Sequence, residues 1–116
     1  MAVPQDKIKK LINKLEKKEA QFLDTISFIE TYYVHTPTAF TNGAQLNGTN
    51  ENQGSAKVFT FAKLNDLSKE ETLKLFAEHY DAVLSTPTGN DHQNIRQFIL
   101  HGWQGIAFNG LALKEK

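Results

Sequence analysis

The chain has 116 residues, 40% of them hydrophobic and eight of them phenylalanine, a composition typical of globular rather than disordered proteins. This length predicts one domain, residues 1–116, with a single core. Thirteen basic and thirteen acidic residues give zero net charge, which disfavours DNA or RNA binding. The absence of cysteine excludes disulfides and thiolate sites and favours a cytoplasmic protein. No apolar stretch approaches the roughly 20 residues that span a bilayer, and no secretory signal is recognised.

The first segment predicts an amphipathic helix, because its apolar residues follow the three- and four-residue spacing of one helical face. These residues are Ile8, Leu11, Ile12 and Leu15, and lysines at positions 7, 10, 14, 17 and 18 occupy another face. A solvated lysine face is the commoner case. The alternative is weak, salt-sensitive attachment to an anionic membrane surface or to an acidic partner.

A second helical stripe begins at Phe22 and continues to about Tyr32. The apolar pattern is interrupted at Lys18 and Glu19, so two helices are favoured over one long rod. Pro37 cannot join a helix interior and ends this helical part of the chain.

The middle of the chain predicts turns, a loop and a strand. The pairs Asn42-Gly43 and Asn47-Gly48 are typical of tight turns with positive backbone angles. Residues 44–55, rich in asparagine, glycine and glutamine, predict a long exposed loop. Residues 56–62 are β-branched and aromatic at their centre and apolar on both faces, which predicts a strand buried on two sides.

Two further helices are predicted in the second half. Ser68 and Glu71 form a capping box, and the apolar stripe that follows predicts one helix ending before Pro87. Asp91 is expected to cap a second helix that stops near Gly102.

The C-terminal segment predicts a short strand or hairpin, because apolar residues alternate between 106 and 113 around Asn109-Gly110. The strand around Val58 is its expected partner. The sequence therefore predicts an α+β fold, with about four helices packed on a small antiparallel sheet or hairpin.

A candidate functional face lies on the helix after Asp91. His92, Arg96 and Trp103 are four and seven residues apart, so all three can share one helical face. In one interpretation a neutral His92 is a general base, Arg96 clamps an anionic group, and Asp91 orients the ring or caps the helix. In the other, favoured interpretation the same residues form a buried network that fastens the helix to the loop at 36–43.

Two polar strings and one aromatic step carry a resemblance to a known family. The strings are Thr36-Pro37-Thr38-Ala39-Phe40-Thr41-Asn42-Gly43 and Gly89-Asn90-Asp91-His92-Gln93-Asn94-Ile95-Arg96, and the step is Gly102-Trp103. Together they resemble the HopJ family, small proteins named after a bacterial type III secretion effector, over nearly the whole chain beyond its first turns. Resemblance to a secreted effector implies a protein-interaction module, and the family has no settled catalytic activity.

The start of the chain qualifies this implication. A type III effector is expected to begin with a flexible segment that the secretion machinery reads. Here a patterned lysine-rich helix is predicted within a few residues of Met1. We therefore expect a housekeeping relative that is not exported.

Because the resemblance includes both strings, we expect them to meet in space and form a pocket. The ligand-binding candidates are Arg96, Asn94, Trp103, Asn42, Thr41 and Thr38, and the catalytic candidates are His92 and Asp91. The alternative function is therefore a small enzyme or a binder of a small anionic ligand. Hydrolysis, isomerisation and simple anion binding would all suit such residues.

The remaining histidines, His35, His79 and His101, do not form a spacing recognised for zinc. Glycine-flanked serine nucleophile motifs are also absent from the sequence. We predict no metal and no cofactor.

Overall fold

A computed structural model gives the structure of residues 3–116. In this range the elements are α1 (Gln5–Glu16), α2 (Phe22–Tyr32), β1 (Tyr33–His35), β2 (Phe40–Asn42), β3 (Gln45–Asn47), α3 (Gln53–Leu64), α4 (Lys69–Lys74), α5 (Glu78–Ser85), α6 (Gln93–His101), the 3-10 helix η1 (Gly102–Gly105), β4 (Ile106–Phe108) and β5 (Leu113–Glu115). The predicted α+β class is confirmed, but six α-helices replace the four expected. None of the helices in this range is both long and apolar enough to cross a bilayer.

The N-terminal part forms two helices, as the interrupted stripe indicated. The apolar stripe of α1 is buried and its lysines are exposed. Lys18 has a positive φ of 61° in the break between the helices, and Gln21 and Asp24 then form a capping box at the start of α2. The chain therefore turns between the helices instead of continuing as one rod.

The strand predicted at 56–62 is wrong, because these residues form the middle of α3. Ala56, Val58, Phe59, Phe61 and Ala62 are all fully buried, and α2, α4 and β5 pack around the helix. A short segment that is apolar on most sides fits either a buried strand or a buried helix. Packing against other helices decides in favour of the helix here.

The long loop predicted at 44–55 is also wrong over much of its length. β3 pairs antiparallel with β2, and α3 already begins at Gln53. Between the strands, Gly43 has a φ of 57°, which confirms the tight turn predicted at Asn42-Gly43. A second turn follows the other predicted pair, since Gly48 accepts a hydrogen bond from the Glu51 N–H at 3.1 Å.

The Ser68–Glu71 capping box is confirmed, but the single helix predicted after it is divided into α4 and α5. Ala77 lies at the break with φ 53° and ψ −123°, a conformation that a continuous helix does not contain. The predicted end before Pro87 is confirmed, because α5 stops at Ser85.

The predicted helix that stops near Gly102 is confirmed as α6, with Gly102 at a φ of 61°. Its N-cap residue is His92, not Asp91. Asp91 instead uses its side chain to accept a hydrogen bond from Arg96.

The segment 106–113 does not form a hairpin, and its strands do not pair with Val58. β4 joins a three-stranded antiparallel sheet in the order β3-β2-β4, and β5 pairs antiparallel with β1. Phe108 lies opposite Phe40 in the register and stacks on its ring at 4.7 Å. The alternation was a correct strand signal, but each strand finds its partner among residues 33–42.

Phe59 on α3 occupies the centre of the core. Its ring contacts those of Phe40, Phe76, Phe98 and Trp103, with centroid distances between 5.0 Å and 6.4 Å. These partners come from the three-stranded sheet, the α4–α5 segment, α6 and η1. One phenylalanine therefore connects the elements that surround the candidate site.

Candidate functional site

The two polar strings meet through a network of four asparagines. The Asn42 side-chain amide donates to the Asn94 backbone oxygen at 2.7 Å, and Asn94 donates to Asn47 Oδ1 at 2.9 Å. Asn52 donates to the same Asn47 oxygen at 2.7 Å. Asn42, Asn47 and Asn94 are buried, so the network ties the β2–β3 hairpin to the first turn of α6. The threonine-rich string and the histidine-containing string are thus neighbours in space.

A groove of about 460 Å³ opens to solvent beside this network; we call it the histidine groove. It is lined by the starts of α2, α3 and α6 and by Phe76 and His79 near the α4–α5 break. Asn52 and Asn94 belong to both the network and the groove. The buried amides therefore support a surface that a small molecule can reach.

Four rings form the aromatic side of the histidine groove. Phe22 and Phe76 are stacked with centroids 5.9 Å apart, and His79 packs edge-on against Phe22 at 4.9 Å. The rings of His79 and His92 are 5.0 Å apart. Glu78 accepts a hydrogen bond from the Phe22 N–H at 2.7 Å, which fixes the start of α2 against α5. Two imidazoles are therefore held together next to an apolar wall.

Unpaired backbone donors come from two helix starts. The N–H groups of Gly54, Ser55, Gln93 and Asn94 have no hydrogen-bond partner among residues 3–116, and all four residues line the groove. The N-cap side chains of α3 and α6 accept no hydrogen bond from the first N–H groups of their own helices. The first turns of these helices carry a partial positive charge, so this side of the groove favours an anion.

Both N-cap residues adopt the left-handed conformation, which non-glycine residues rarely use. Asn52 has φ 52° and ψ 37°, and His92 has φ 52° and ψ 47°. Such a conformation costs on the order of 1–3 kcal/mol and persists only where the surroundings enforce it. Ala77, with its positive φ, lies next to Phe76 and two residues before His79. Two strained residues therefore line the groove, and a third is the chain neighbour of a lining residue.

Arg96, a predicted clamp, does not line the groove but fastens the loop that precedes α6. It donates to the Thr86 backbone oxygen at 2.7 Å, to Thr86 Oγ1 at 3.0 Å, to Asp91 Oδ1 at 2.7 Å and to the Asp91 backbone oxygen at 2.6 Å. Its side chain is only 10% exposed. The hydrogen bond from Arg96 lowers the pKa of the Asp91 carboxyl. We call Arg96, Thr86 and Asp91 the arginine latch.

Trp103 also lies outside the groove, because α6 ends at His101 and the positive φ of Gly102 redirects the chain. The shared face predicted for His92, Arg96 and Trp103 is therefore not formed. Trp103 instead packs edge-on against Phe98 at 5.0 Å.

The two threonine candidates serve other contacts. Thr38 is buried, donates its hydroxyl to the Thr36 backbone oxygen at 2.8 Å and donates its backbone N–H to Gln53 Oε1 at 3.0 Å. Thr41 lies in the middle of β2 and lines a separate surface depression. Among the predicted site residues, His92 and Asn94 line the groove, and Asp91 lies 3.9 Å from the His92 ring nitrogen.

Sequence reasoning missed His79, Phe22, Phe76 and Asn52 as lining residues. The polar run at 52–55 ahead of an apolar segment is a helix-start signal that would have brought α3, and with it Asn52, into the site. His79 gave no such signal, because its position depends on the break at Ala77. In residues 3–116 no group of three or more His, Cys, Asp or Glu is arranged to hold a metal ion.

Comparison with known proteins gives two findings. The family model described as HopJ type III effector protein matches residues 8–113. The structure is similar to the crystal structure of the unknown function protein VPA0580, with a TM-score of 0.85, 43% sequence identity and coverage of 100% of this chain and 97% of that chain. No curated protein matches the sequence. The family match spans nearly the whole chain, and the chain therefore belongs to the HopJ family.

Proposed function

We propose that the histidine groove binds a small anionic ligand that carries an apolar or aromatic group. The observation that carries this proposal is the pair of imidazole rings, His79 and His92, held 5.0 Å apart on the wall of a groove that is open to solvent. A volume of about 460 Å³ is ordinary for a small-molecule site. The two phenylalanines beside the imidazoles offer a surface for the apolar part of the ligand.

The sign of the ligand charge follows from the groove lining. Within the described chain no aspartate or glutamate lines the groove, and its polar groups are amides, imidazoles, one hydroxyl and the unpaired N–H groups. Two helix starts direct their partial positive charge to the same place. A phosphate or carboxylate group would accept hydrogen bonds from these donors, whereas none of the lining residues offers a carboxylate to a cation.

The histidine pair also suits proton transfer. An imidazole can accept or donate a proton near neutral pH, and the Asp91 carboxylate lies 3.9 Å from a ring nitrogen of His92, where its charge would favour a protonated ring. We therefore keep His92 and Asp91 as catalytic candidates and add His79. Ligand binding is the primary proposal, and any reaction would take place at the bound group nearest these rings.

A nuclear magnetic resonance titration with phenyl phosphate at constant ionic strength tests the proposal. Phenyl phosphate combines an anionic head with an aromatic ring. We expect saturable shifts that are largest for the backbone N–H signals of Gly54, Ser55, Gln93 and Asn94, because these donors are free in the structure. Inorganic phosphate should shift the same signals with a weaker affinity, since it lacks the ring that packs on Phe22.

Matched variants separate the groove from other anion contacts. His92→Asn keeps a residue that tolerates the left-handed conformation and removes the imidazole, so phenyl phosphate affinity should fall about tenfold. His101→Asn changes an exposed histidine at the other end of α6 and should leave the affinity unchanged. Shifts scattered over the surface, or equal affinities for both variants, would refute the proposal.

The groove is compatible with either biological role that family membership implies. An exported effector and a housekeeping relative that remains in the cytoplasm can both use a small-molecule site. The protein-interaction role predicted from the family name stays a separate proposal. Weak contact of a membrane surface with the exposed lysine face of α1 is a further proposal.

A further inference from the structure

A second concavity, of about 270 Å³, lies between α3, η1 and β4. We call it the tryptophan cleft, because Trp103, the only tryptophan in the chain, forms one wall. It shares no lining residue with the histidine groove. The tryptophan cleft is therefore a separate site from the histidine groove.

The walls of the tryptophan cleft are apolar and well supported. Trp103 packs on Phe59 and Phe98, and Phe108 stacks on Phe40, so the aromatic walls are continuous with the core. At the rim, Leu64 is 49% exposed and Leu111 is 64% exposed. An occupant of the cleft would cover apolar surface that water now contacts, which favours binding of a hydrophobic group.

The polar groups around the cleft determine which hydrophobic group fits. The Lys63 ammonium lies 5.4 Å from the centre of the Trp103 ring and has no ion-pair partner in residues 3–116. The Trp103 indole N–H has no hydrogen-bond acceptor in the same range. No described acidic residue lines the cleft. A cation over the ring would be repelled by Lys63, while a carboxylate would gain the Lys63 ammonium as a charge partner.

We propose that the tryptophan cleft binds a small hydrophobic carboxylic acid. The chain or ring of the acid lies between Trp103 and Phe108, and its carboxylate faces the Lys63 ammonium. The cleft is slightly smaller than most small-molecule sites, so it suits an acid with a short aliphatic chain or one ring.

Tryptophan fluorescence tests this proposal directly, because the only indole of the chain lies in the cleft. Titration with sodium octanoate should change the Trp103 emission saturably. Butanoate lacks four of the CH₂ groups of octanoate and should bind at least tenfold more weakly, because each CH₂ group that leaves water completely contributes up to about a fourfold gain in affinity. Neutral 1-octanol should bind more weakly than octanoate, and octylammonium should bind most weakly of the three.

Two variants test the contacts without disturbing the core. Lys63→Met keeps the long apolar side chain, so octanoate affinity should fall about fivefold to tenfold while 1-octanol affinity stays the same. Leu111→Asp places a negative charge on an exposed rim position and should abolish octanoate binding. Lys14→Met, on the exposed face of α1, should give the same octanoate-dependent change in Trp103 emission as the wild type.

Three outcomes would overturn the proposal. They are an emission change that does not saturate, equal octanoate affinity for the wild type and Lys63→Met, and stronger binding of octylammonium than of octanoate.

Discussion

The histidine groove and the tryptophan cleft are built from different parts of the fold. The groove is formed largely by helix starts and a helix break, where Asn52, Ala77 and His92 have positive φ angles. The cleft is formed by regular elements, and its walls include Phe59, which is fully buried. The groove therefore depends on backbone geometry and polar contacts, whereas the cleft is a surface extension of the core.

This difference predicts different consequences of mutation. The strained backbone at the groove persists only because other contacts hold it in place. The asparagine network and the arginine latch are contacts of this kind beside the groove. Damage to them should change the groove more than it changes the rest of the fold. Damage to a cleft wall should instead lower the stability of the whole chain, because the same side chain packs in the core.

The largest effect is expected for Phe59→Ala. Removing a fully buried ring that contacts four other aromatic rings should lower the free energy of unfolding by about 3–5 kcal/mol. Urea denaturation at neutral pH measures the loss. The matched variant Phe22→Ala removes a half-buried ring from the groove wall and should cost less than half as much. Equal losses would show that the two walls do not differ in the way proposed.

A smaller effect is expected for Arg96→Ala, which breaks the arginine latch. The guanidinium makes four hydrogen bonds to Thr86 and Asp91 and is almost buried, so its removal should cost about 1–2 kcal/mol of unfolding free energy. The loop before α6 would loosen and His92 would lose its fixed position. Phenyl phosphate should therefore bind severalfold more weakly, while octanoate affinity in the tryptophan cleft stays the same.

Asn90 offers a control for the Arg96→Ala variant. Asn90→Ala changes an exposed residue in the same loop whose side chain makes no hydrogen bond, and it should leave both stability and binding unchanged. A wild-type melting curve for Arg96→Ala would show that the latch does not stabilise the fold. Equal weakening at both sites would show that the latch acts on the whole chain and not on the groove.

Sequence reasoning succeeded where one local signal determines the structure. The Ser68 capping box, the turn at Asn42-Gly43 and the end of α6 at Gly102 each follow from residues that are adjacent in the chain. It failed at α3, where burial on several sides removes the periodicity that distinguishes a helix from a strand. It also failed at Ala77, because no residue type there indicates a helix break.

In the candidate site, too, some features could be predicted from the sequence and others could not. The meeting of the two polar strings was predicted and is present in the Asn42–Asn94 contact. The grouping of His92 with Trp103 assumed that α6 continues past Gly102, although the same glycine was predicted to end the helix. His79 could not be assigned to the site, since its approach to His92 depends on the long-range packing of α5 against α6.

The smallest effect is a pH dependence that comes from the latch carboxylate. The hydrogen bond from Arg96 lowers the pKa of Asp91 below its usual value of 3.8. A carboxyl group with a lowered pKa in the folded state stabilises the fold above its unfolded pKa, and this contribution is lost as the pH falls through the folded pKa. Asp91→Asn should therefore be less stable than the wild type near neutral pH, and the two should converge in acid, below about pH 4.

Urea midpoints measured between about pH 3 and pH 7 follow this convergence. Glu30→Gln is the matched control, because a hydrogen bond from Lys57 lowers the pKa of Glu30 in the same direction at a site outside both the latch and the groove. Both variants should approach the wild type in acid, but only Asp91→Asn should also weaken phenyl phosphate binding at neutral pH. A stability difference between Asp91→Asn and the wild type that stays constant with pH would mean that the carboxylate charge does not contribute to the latch.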